Sequence, residues 1–330
     1  MGRLNDMKDY KMASLFAGIG GIDLAFEQAG IRSIWANEID KFCATTFKAN
    51  HKTELIVEDI CKIEAKDIPT IDVLAGGFPC QAFSIAGNKK GFEDDRGSLF
   101  FQIIRLLREL KEQNRLPKAI FLENVKNLYT HDNGQTFQAI RKELENIGYH
   151  ITEKVLNTCE YGNIPQNRER IYIIGFVNRK HRDNFSWPQP IELSNKIEKV
   201  IDWDKKEDKK YYYTKEMKCF PLLEENIKNK HSIYQYRRIY IRENKSGVCP
   251  TLTANMGMGG HNVPLIMDNN AEIRKLTPIE CLKLQGFPKE FIIPKELSDS
   301  KVYKQAGNSV SVSVIKRIAE EIVKVLNEAD

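Results

Sequence analysis

A cysteine preceded by proline, Pro79-Cys80-Gln81, follows an apolar run over 72–75 and two glycines. At the C-terminal edge of a parallel strand, such a thiol faces the crevice where α/β sheets take their ligands. Proline stiffens the approach to it, and a thiolate so placed is a candidate nucleophile. A lone cysteine is more commonly a small buried hydrophobe, but the residues around this one weigh against that role. Ser84, Gly87, Asn88, Lys89, Lys90, Gly91 and Arg96 make a polar, glycine-containing loop suited to closing over a substrate. Glu123-Asn124-Val125 also follows an apolar strand, so Glu123 is expected to share the crevice with Cys80. In Gln166-Asn167-Arg168-Glu169-Arg170 the two arginines alternate on entering a strand. Both guanidiniums are therefore expected on one side, where they suit recognition of an anion or a carbonyl.

A second constellation would bind rather than react. Phe16-Ala17-Gly18-Ile19-Gly20-Gly21 lies between an expected strand and an expected helix. Glycines there permit a tight turn and close approach of a ligand to the backbone, and the helix behind presents free N–H groups. Glu38 stands 20 residues after Gly18, at the end of the next expected strand with Asp40 nearby. In nucleotide-binding sheets a carboxylate at that place takes ribose hydroxyls. Asp59, ending a third expected strand, is suited to an adenine amino group. The third glycine follows the second directly, whereas the dinucleotide fingerprint keeps two residues between them. A nucleoside without pyrophosphate, such as S-adenosylmethionine, therefore fits better.

The elements that must position these groups alternate. Strands are expected over 12–16, 33–36, 72–75, 119–122 and 170–176, and helices over 22–29, 99–110 and 136–146. That alternation predicts a doubly wound, mostly parallel sheet with helices on both faces. The pattern changes at Trp187-Pro188-Gln189-Pro190; beyond it lie charged stretches, an alternating strand over 234–242 and turns at Gly257, Gly259 and Gly260. The segments read as 1–185, a catalytic and cofactor-binding domain; 186–280, a smaller irregular β-containing domain; and 281–330, a hinge with an amphipathic terminal helix. Of the net charge of +5, residues 178–275 carry 19 Lys and Arg against 13 Asp and Glu. A locally basic segment in a nearly neutral chain points to a polyanion partner. Apolar residues make up 42% without a run long enough to span a membrane, and the polar start lacks the apolar core of a secretory signal. Seven widely spaced cysteines without a Cys-x-x-Cys pair exclude a zinc ribbon or disulfide framework and fit reduced thiols in a cytosol. No metal is expected.

Taken together, these motifs resemble the bacterial DNA (cytosine-5) methyltransferases of restriction–modification systems. The resemblance is collinear over about 11–325. Besides the motifs above it takes in Arg274-Lys275-Leu276-Thr277-Pro278-x-Glu280, Gln285-Gly286-Phe287-Pro288 and Gly307-Asn308-Ser309-Val310. It implies a Rossmann-like S-adenosylmethionine-dependent fold and a target-recognition domain in the basic segment. It also implies a covalent mechanism on a cytosine flipped out of the duplex. Cys80 would attack carbon 6, Glu123 would hold ring nitrogen 3, Asn124 would shape the pocket, and Arg168, with Arg170 second, would bind the base carbonyl. For S-adenosylmethionine the resemblance implies Phe16 against the adenine, Gly18, Gly20 and Gly21 in the loop, Glu38 and Ile39 at the ribose, Asp59 and Ile60 by the adenine, and Pro79. Asn308 would lie near the methionine part; its alternative is a cap of the terminal helix.

Duplex DNA would meet Ser84, Lys89 and Arg96 from the loop after Cys80, and Gln235, Arg237, Arg238, Arg242, Thr251 and Thr253 from the recognition segment. Arg and Gln read base edges in the major groove, and part of such a set touches phosphate alone. Tyr234, Tyr236 and Tyr240, on one strand face, would be core. Asn163 stands as an extra residue before Gln166. The short recognition region implies one target sequence. A restriction endonuclease is the expected functional partner, without a stable complex. The enzyme is expected to act as a cytoplasmic monomer without membrane attachment. A tRNA cytosine-5 methyltransferase is the nearest alternative, but its Cys-Phe-Thr signature is met here by Cys219-Phe220-Pro221. A nucleotide-dependent oxidoreductase leaves Cys80 and Glu123 unexplained. A catalytically inert DNA-binding relative is disfavoured because every expected catalytic residue is present.

Overall fold

The computed structural model describes residues 8–79, 99–237, 239–258 and 262–328. The chain divides into two compact units, one of 1–156, 169–189 and 315–330, the other of 157–168 and 190–314.

The first unit is built on a seven-stranded sheet in the order β3-β2-β1-β4-β5-β7-β6. Its strands are β1 (Lys11–Leu15), β2 (Arg32–Asn37), β3 (Glu54–Ile56), β4 (Val73–Gly77), β5 (Ala119–Val125), β6 (His150–Asn157) and β7 (Glu169–Phe176). β1 pairs in parallel with both β2 and β4, β2 with β3, and β4 with β5. The apolar runs of β4 and β5 are buried on both faces, as a parallel sheet covered by helices requires. The two faces can be followed along β5. Ile120 and Leu122 join the core beneath the helices Leu99–Glu112 and Gln135–Ile147. Phe121 turns the other way, edge-on to Phe26 of the helix Gly21–Gln28 at 5.2 Å. This is the doubly wound arrangement expected, with one antiparallel strand: β7 runs against β5. Strand reversal in sequence order between β1 and β4 opens a crevice at the carboxyl ends, the usual ligand site of such sheets. The Tyr10 hydroxyl donates to the Leu326 carbonyl, which holds the end of the terminal helix Val312–Leu326 beside β1.

The second unit carries a four-stranded sheet in the order β11-β10-β8-β9, formed by β8 (Ile233–Tyr236), β9 (Ile241–Asn244), β10 (Leu265–Met267) and β11 (Ile273–Lys275). The continuous strand expected over 234–242 is instead a hairpin, closed by Arg237 N–H on the Tyr240 carbonyl. Tyr234 is consequently core and Tyr240 exposed, so the tyrosines do not share one face. A small core of Leu223, Ile227, Tyr234, Leu265 and Ile273 lies under this sheet. Arg274 and Glu280 form a fully buried bidentate pair at 2.8 and 2.9 Å. Glu280 also closes a capping box with Thr277 at the start of the helix Pro278–Leu284. Among the described residues no helix is long and apolar enough to cross a membrane.

Candidate active site

The glycine loop takes its shape from backbone constraints. Phe16, Gly18 and Gly20 all have positive φ, at 55°, 59° and 83°. At Gly20 space also decides: a Cβ would come within 2.1 Å of the buried His51 ring. The loop is laced to the neighbouring strand ends. Ala17 N–H donates to the Asn37 carbonyl at 3.0 Å. The Glu38 carboxylate accepts from Gly18 N–H at 2.8 Å and from Asp40 N–H at 2.7 Å. Glu38 thus stands at the end of β2 as expected, and two accepted bonds leave a carboxylate with further lone pairs for a ligand.

Around that point the residues separate by exposure. Ile39 is 62% exposed, and Phe16 and Asp59 are half-buried. Asp59 caps the turn Ile60–Lys62, and the Cys61 N–H at 2.9 Å holds its carboxyl below the usual range. Ile60 belongs to the core, with 3% exposure. Asp40 caps the helix Lys41–Asn50 by accepting from Phe42 and Cys43 N–H.

The second cluster sits where β4 and β5 end. Gly77 pairs with Glu123, which sets Glu123 level with a residue three before Cys80. Glu123 is buried, and its Oε1 lies 3.2 Å from Arg170 Nε as an ion pair. Arg170 enters by register, opposite Val125 across the antiparallel β5–β7 pair. Asn124 Nδ2 donates to the Phe78 carbonyl at 2.9 Å, while its Oδ1 accepts Val125 N–H. Phe78 is packed on Phe100 at 5.6 Å, and Pro79 beyond it is exposed. Cys80, Ser84, Lys89 and Arg96 lie outside the described residues, as does Arg238.

Arg168 corrects an expectation. It lies just before β7, which begins at Glu169, and so does not alternate within that strand with Arg170. Its buried guanidinium donates to the carbonyls of Leu252 (3.0 Å) and Ser309 within the second unit. Gln166 has a related task there, binding the Leu284 carbonyl and Leu252 N–H. Asn163, in the left-handed region, accepts from the N–H groups of Ser194 and Asn195.

Asn308 is exposed and is the last residue of the helix Asp299–Asn308, so it is not the cap of the terminal helix. Gly307 before it allows a close approach, since a Cβ there would meet the Thr253 backbone at 2.1 Å. Gly257 likewise packs against the Ser300 carbonyl, which explains that glycine without a ligand. Of the other recognition candidates, Arg237, Arg242 and Thr253 are exposed and Gln235 and Thr251 half-buried. Gln235 accepts from Arg237, and Thr251 donates to the Asn167 carbonyl. Sequence reasoning missed Asp23 and His51, a buried ionisable pair behind the glycine loop. Asp23 sits at an ordinary first-turn helix position, and nothing in the spacing of the two marks them.

A mostly parallel α/β sheet with a glycine turn after β1, a carboxylate after β2 and Glu123 and Asn124 near the end of β5 places the chain in the Rossmann-like class. Residues 10–324 match the family model described as C-5 cytosine-specific DNA methylase. The chain is 55% identical over 318 residues to the type II methyltransferase M.Bsp6I of Bacillus sp. (strain RFL6), spanning 95% of this chain and 98% of that one. It is 38% identical over 332 residues to the type II methyltransferase M.HhaI of Haemophilus parahaemolyticus, spanning 96% and 95%. Among solved structures, the S. pombe Dnmt2 methyltransferase shares the fold, with TM-score 0.75 and 22% identity over 97% of this chain and 100% of that one. The chain belongs to the C-5 cytosine-specific DNA methylase family and is a DNA (cytosine-5) methyltransferase.

Proposed function

We propose that this enzyme methylates one short duplex sequence, as the modification half of a type II restriction–modification system, using S-adenosylmethionine. The carrying observation is the ion pair of buried Glu123 with half-buried Arg170, beside the strand end that leads to Cys80. The crevice end of β1 and β2 fits this cofactor by the chemistry of its donors. Glu38 takes the Gly18 N–H, a donor that a pyrophosphate at this turn would otherwise use, and exposed Ile39 offers apolar surface to a nucleoside. Phe16, Gly18, Gly20, Gly21, Glu38, Ile39, Asp59, Pro79 and Asn308 would hold it, with Ile60 contributing through its backbone. Bound there, S-adenosylmethionine supplies an electrophilic methyl group for carbon 5.

The chain's own residues do the rest. The Cys80 thiolate adds to carbon 6 of the extruded cytosine, which makes carbon 5 enamine-like and nucleophilic. Glu123 hydrogen-bonds or protonates ring nitrogen 3 as charge develops. Arg170 orients Glu123 and reaches the base carbonyl, whereas Arg168 serves as a buried strut. Asn124 holds the Phe78 carbonyl and so the segment entering Cys80. When carbon 5 then gives up its proton to water, the carbon 5–carbon 6 double bond re-forms and Cys80 leaves as the thiolate. Ser84, Lys89 and Arg96 would contact phosphates, and Gln235, Arg237, Arg238, Arg242, Thr251 and Thr253 would meet the target. The segments 1–185, 186–280 and 281–330 divide these tasks. The enzyme would work in the cytoplasm as a monomer, paired in function with an endonuclease.

The test is transfer of labelled methyl from S-adenosylmethionine to duplex DNA and, in parallel, to tRNA. Label in 5-methylcytosine of DNA is expected, and Glu123→Gln should cut the rate by about 10²–10⁴-fold, the usual worth of a positioned acid. Label in tRNA alone would overturn the reading.

A further inference from the structure

Behind the glycine loop lies a polar cluster that the reaction does not use. Asp23, in the first turn of the helix Gly21–Gln28, is fully buried. Its Oδ1 accepts the hydroxyls of Ser14 on β1 at 2.7 Å and Ser33 on β2 at 2.6 Å. Its Oδ2 has no partner among the described residues. His51, directly after the helix Lys41–Asn50, has a side chain 2% exposed and stacked on Phe47 at 4.5 Å. Neither ring nitrogen makes a well-aligned hydrogen bond among the described residues, although the Ile19 backbone is near enough to favour the protonated ring. Nε2 points at Gly20, on the side where a Cβ would stand 2.1 Å away. Besides Asp23, the ionisable group facing the ring is Glu27, 3.9 Å from Nδ1.

We infer that Asp23 and His51 are positioning residues for the cofactor: Asp23 ties β1 and β2 to the helix behind the loop, the neutral His51 ring is the floor under Gly20, and a proton added to this pair weakens cofactor binding. The inference rests on the cofactor reading above. The ring fills the space on the core side of Gly20, so the turn rests directly against it. A charged imidazolium there would face the positive end of the helix and be drawn toward Glu27 and Asp23, away from the loop. Burial pushes His51 toward its neutral form, with the Asp23 charge and the Ile19 backbone opposing. Burial likewise pushes the Asp23 carboxyl up.

Linkage sets the sign. If the cofactor prefers the unprotonated pair, its affinity falls as pH falls, and by reciprocity bound cofactor lowers the apparent pKa of His51. The experiment is calorimetric titration of the full chain with S-adenosylmethionine between about pH 7.5 and about pH 5.5, for wild type, His51→Gln and Asp23→Asn. NMR of the His51 ring, identified by its loss in His51→Gln, accompanies it. One linked proton predicts a wild-type Kd that weakens toward the acid end, by less than about tenfold for a midpoint held below the ordinary histidine value, and a flatter profile in both variants. Saturating cofactor should lower the His51 midpoint. His51→Gln, with a neutral nitrogen near the place of Nε2, should keep near-normal affinity at the higher pH, a rescue that His51→Ala would not give. A wild-type Kd independent of pH, or a His51 midpoint unmoved by cofactor, would overturn the inference even if a variant fails to fold. Absence of binding at every pH would instead sink the cofactor reading, and this inference with it.

Discussion

At the scale of single residues, two arginines two positions apart have different tasks. Arg170 sits on β7 and pairs with Glu123, while Arg168 precedes the strand and holds two carbonyls of the second unit. Arg170→Ala should therefore lose methyl transfer while the melting temperature stays within a few degrees of wild type. Arg168→Ala should destabilise by about 3 kcal/mol, because a buried, charge-assisted bond is lost and two carbonyls are left unpaired. Steady-state rates beside melting curves separate the two, and equal loss of stability in both would contradict the division. Sequence could name both arginines, since guanidinium chemistry is what a carbonyl or a carboxylate asks for. It could not separate them, because alternation tells sides of a strand only once the strand's first residue is known, and β7 begins one residue after Arg168. The strand-end placement of Glu38 and Glu123 was legible for the opposite reason: Glu38 directly follows β2 and Glu123 lies two residues before the end of β5, and the apolar runs 34–36 and 119–122 locate those strands.

At the scale of elements, the buried parallel strands and the long amphipathic helices were readable because continuous apolar runs and helical spacing leave few alternatives. β7 is evident in the sequence, but its direction is not. Direction is a property of the connection between strands, and neighbouring β5 and β7 are separated in sequence by three α-helices, a 3-10 turn and β6. The recognition hairpin looks like one strand in the sequence because alternation runs on through 237–240, where a turn reverses the chain without glycine or proline to announce it. Two glycines in this region serve packing. Gly257 and Gly307 are needed for packing of the turn Ala254–Gly257 on the helix Asp299–Asn308. Gly307→Ala should consequently destabilise by about 3 kcal/mol, the upper end for overpacking a rigid contact, since the atoms met are backbone. Chemical denaturation checks this, and a loss below about 0.5 kcal/mol would show that the contact yields more readily than packed interiors do. Glu280→Gln should cost about 3–5 kcal/mol by leaving the buried Arg274 charge uncompensated.

At the scale of the molecule, the chain folds as two compact units whose borders recross the sequence, so the unit bearing the second sheet also takes 157–168 and runs on to 314. Sequence composition could locate a basic, irregular stretch but not these returns, which depend on long-range contacts such as Gln166 with Leu284 and Arg168 with Ser309. Exchange of 186–273 for the same region of a relative with another target should move the methylated sequence with the donor, read by bisulfite sequencing; methylation that stays at the original sequence would misplace the recognition role. The central claim is the covalent one, that Cys80 attacks the cytosine. Duplex DNA carrying 5-fluorocytosine at many positions, incubated with enzyme and S-adenosylmethionine, tests it most directly, because fluorine cannot leave carbon 5 as a proton does and Cys80 then stays attached. The account predicts a complex that survives a denaturing gel with wild type and is absent with Cys80→Ala. A complex that persists in Cys80→Ala, or none at all with an enzyme that methylates ordinary duplex DNA, would contradict it.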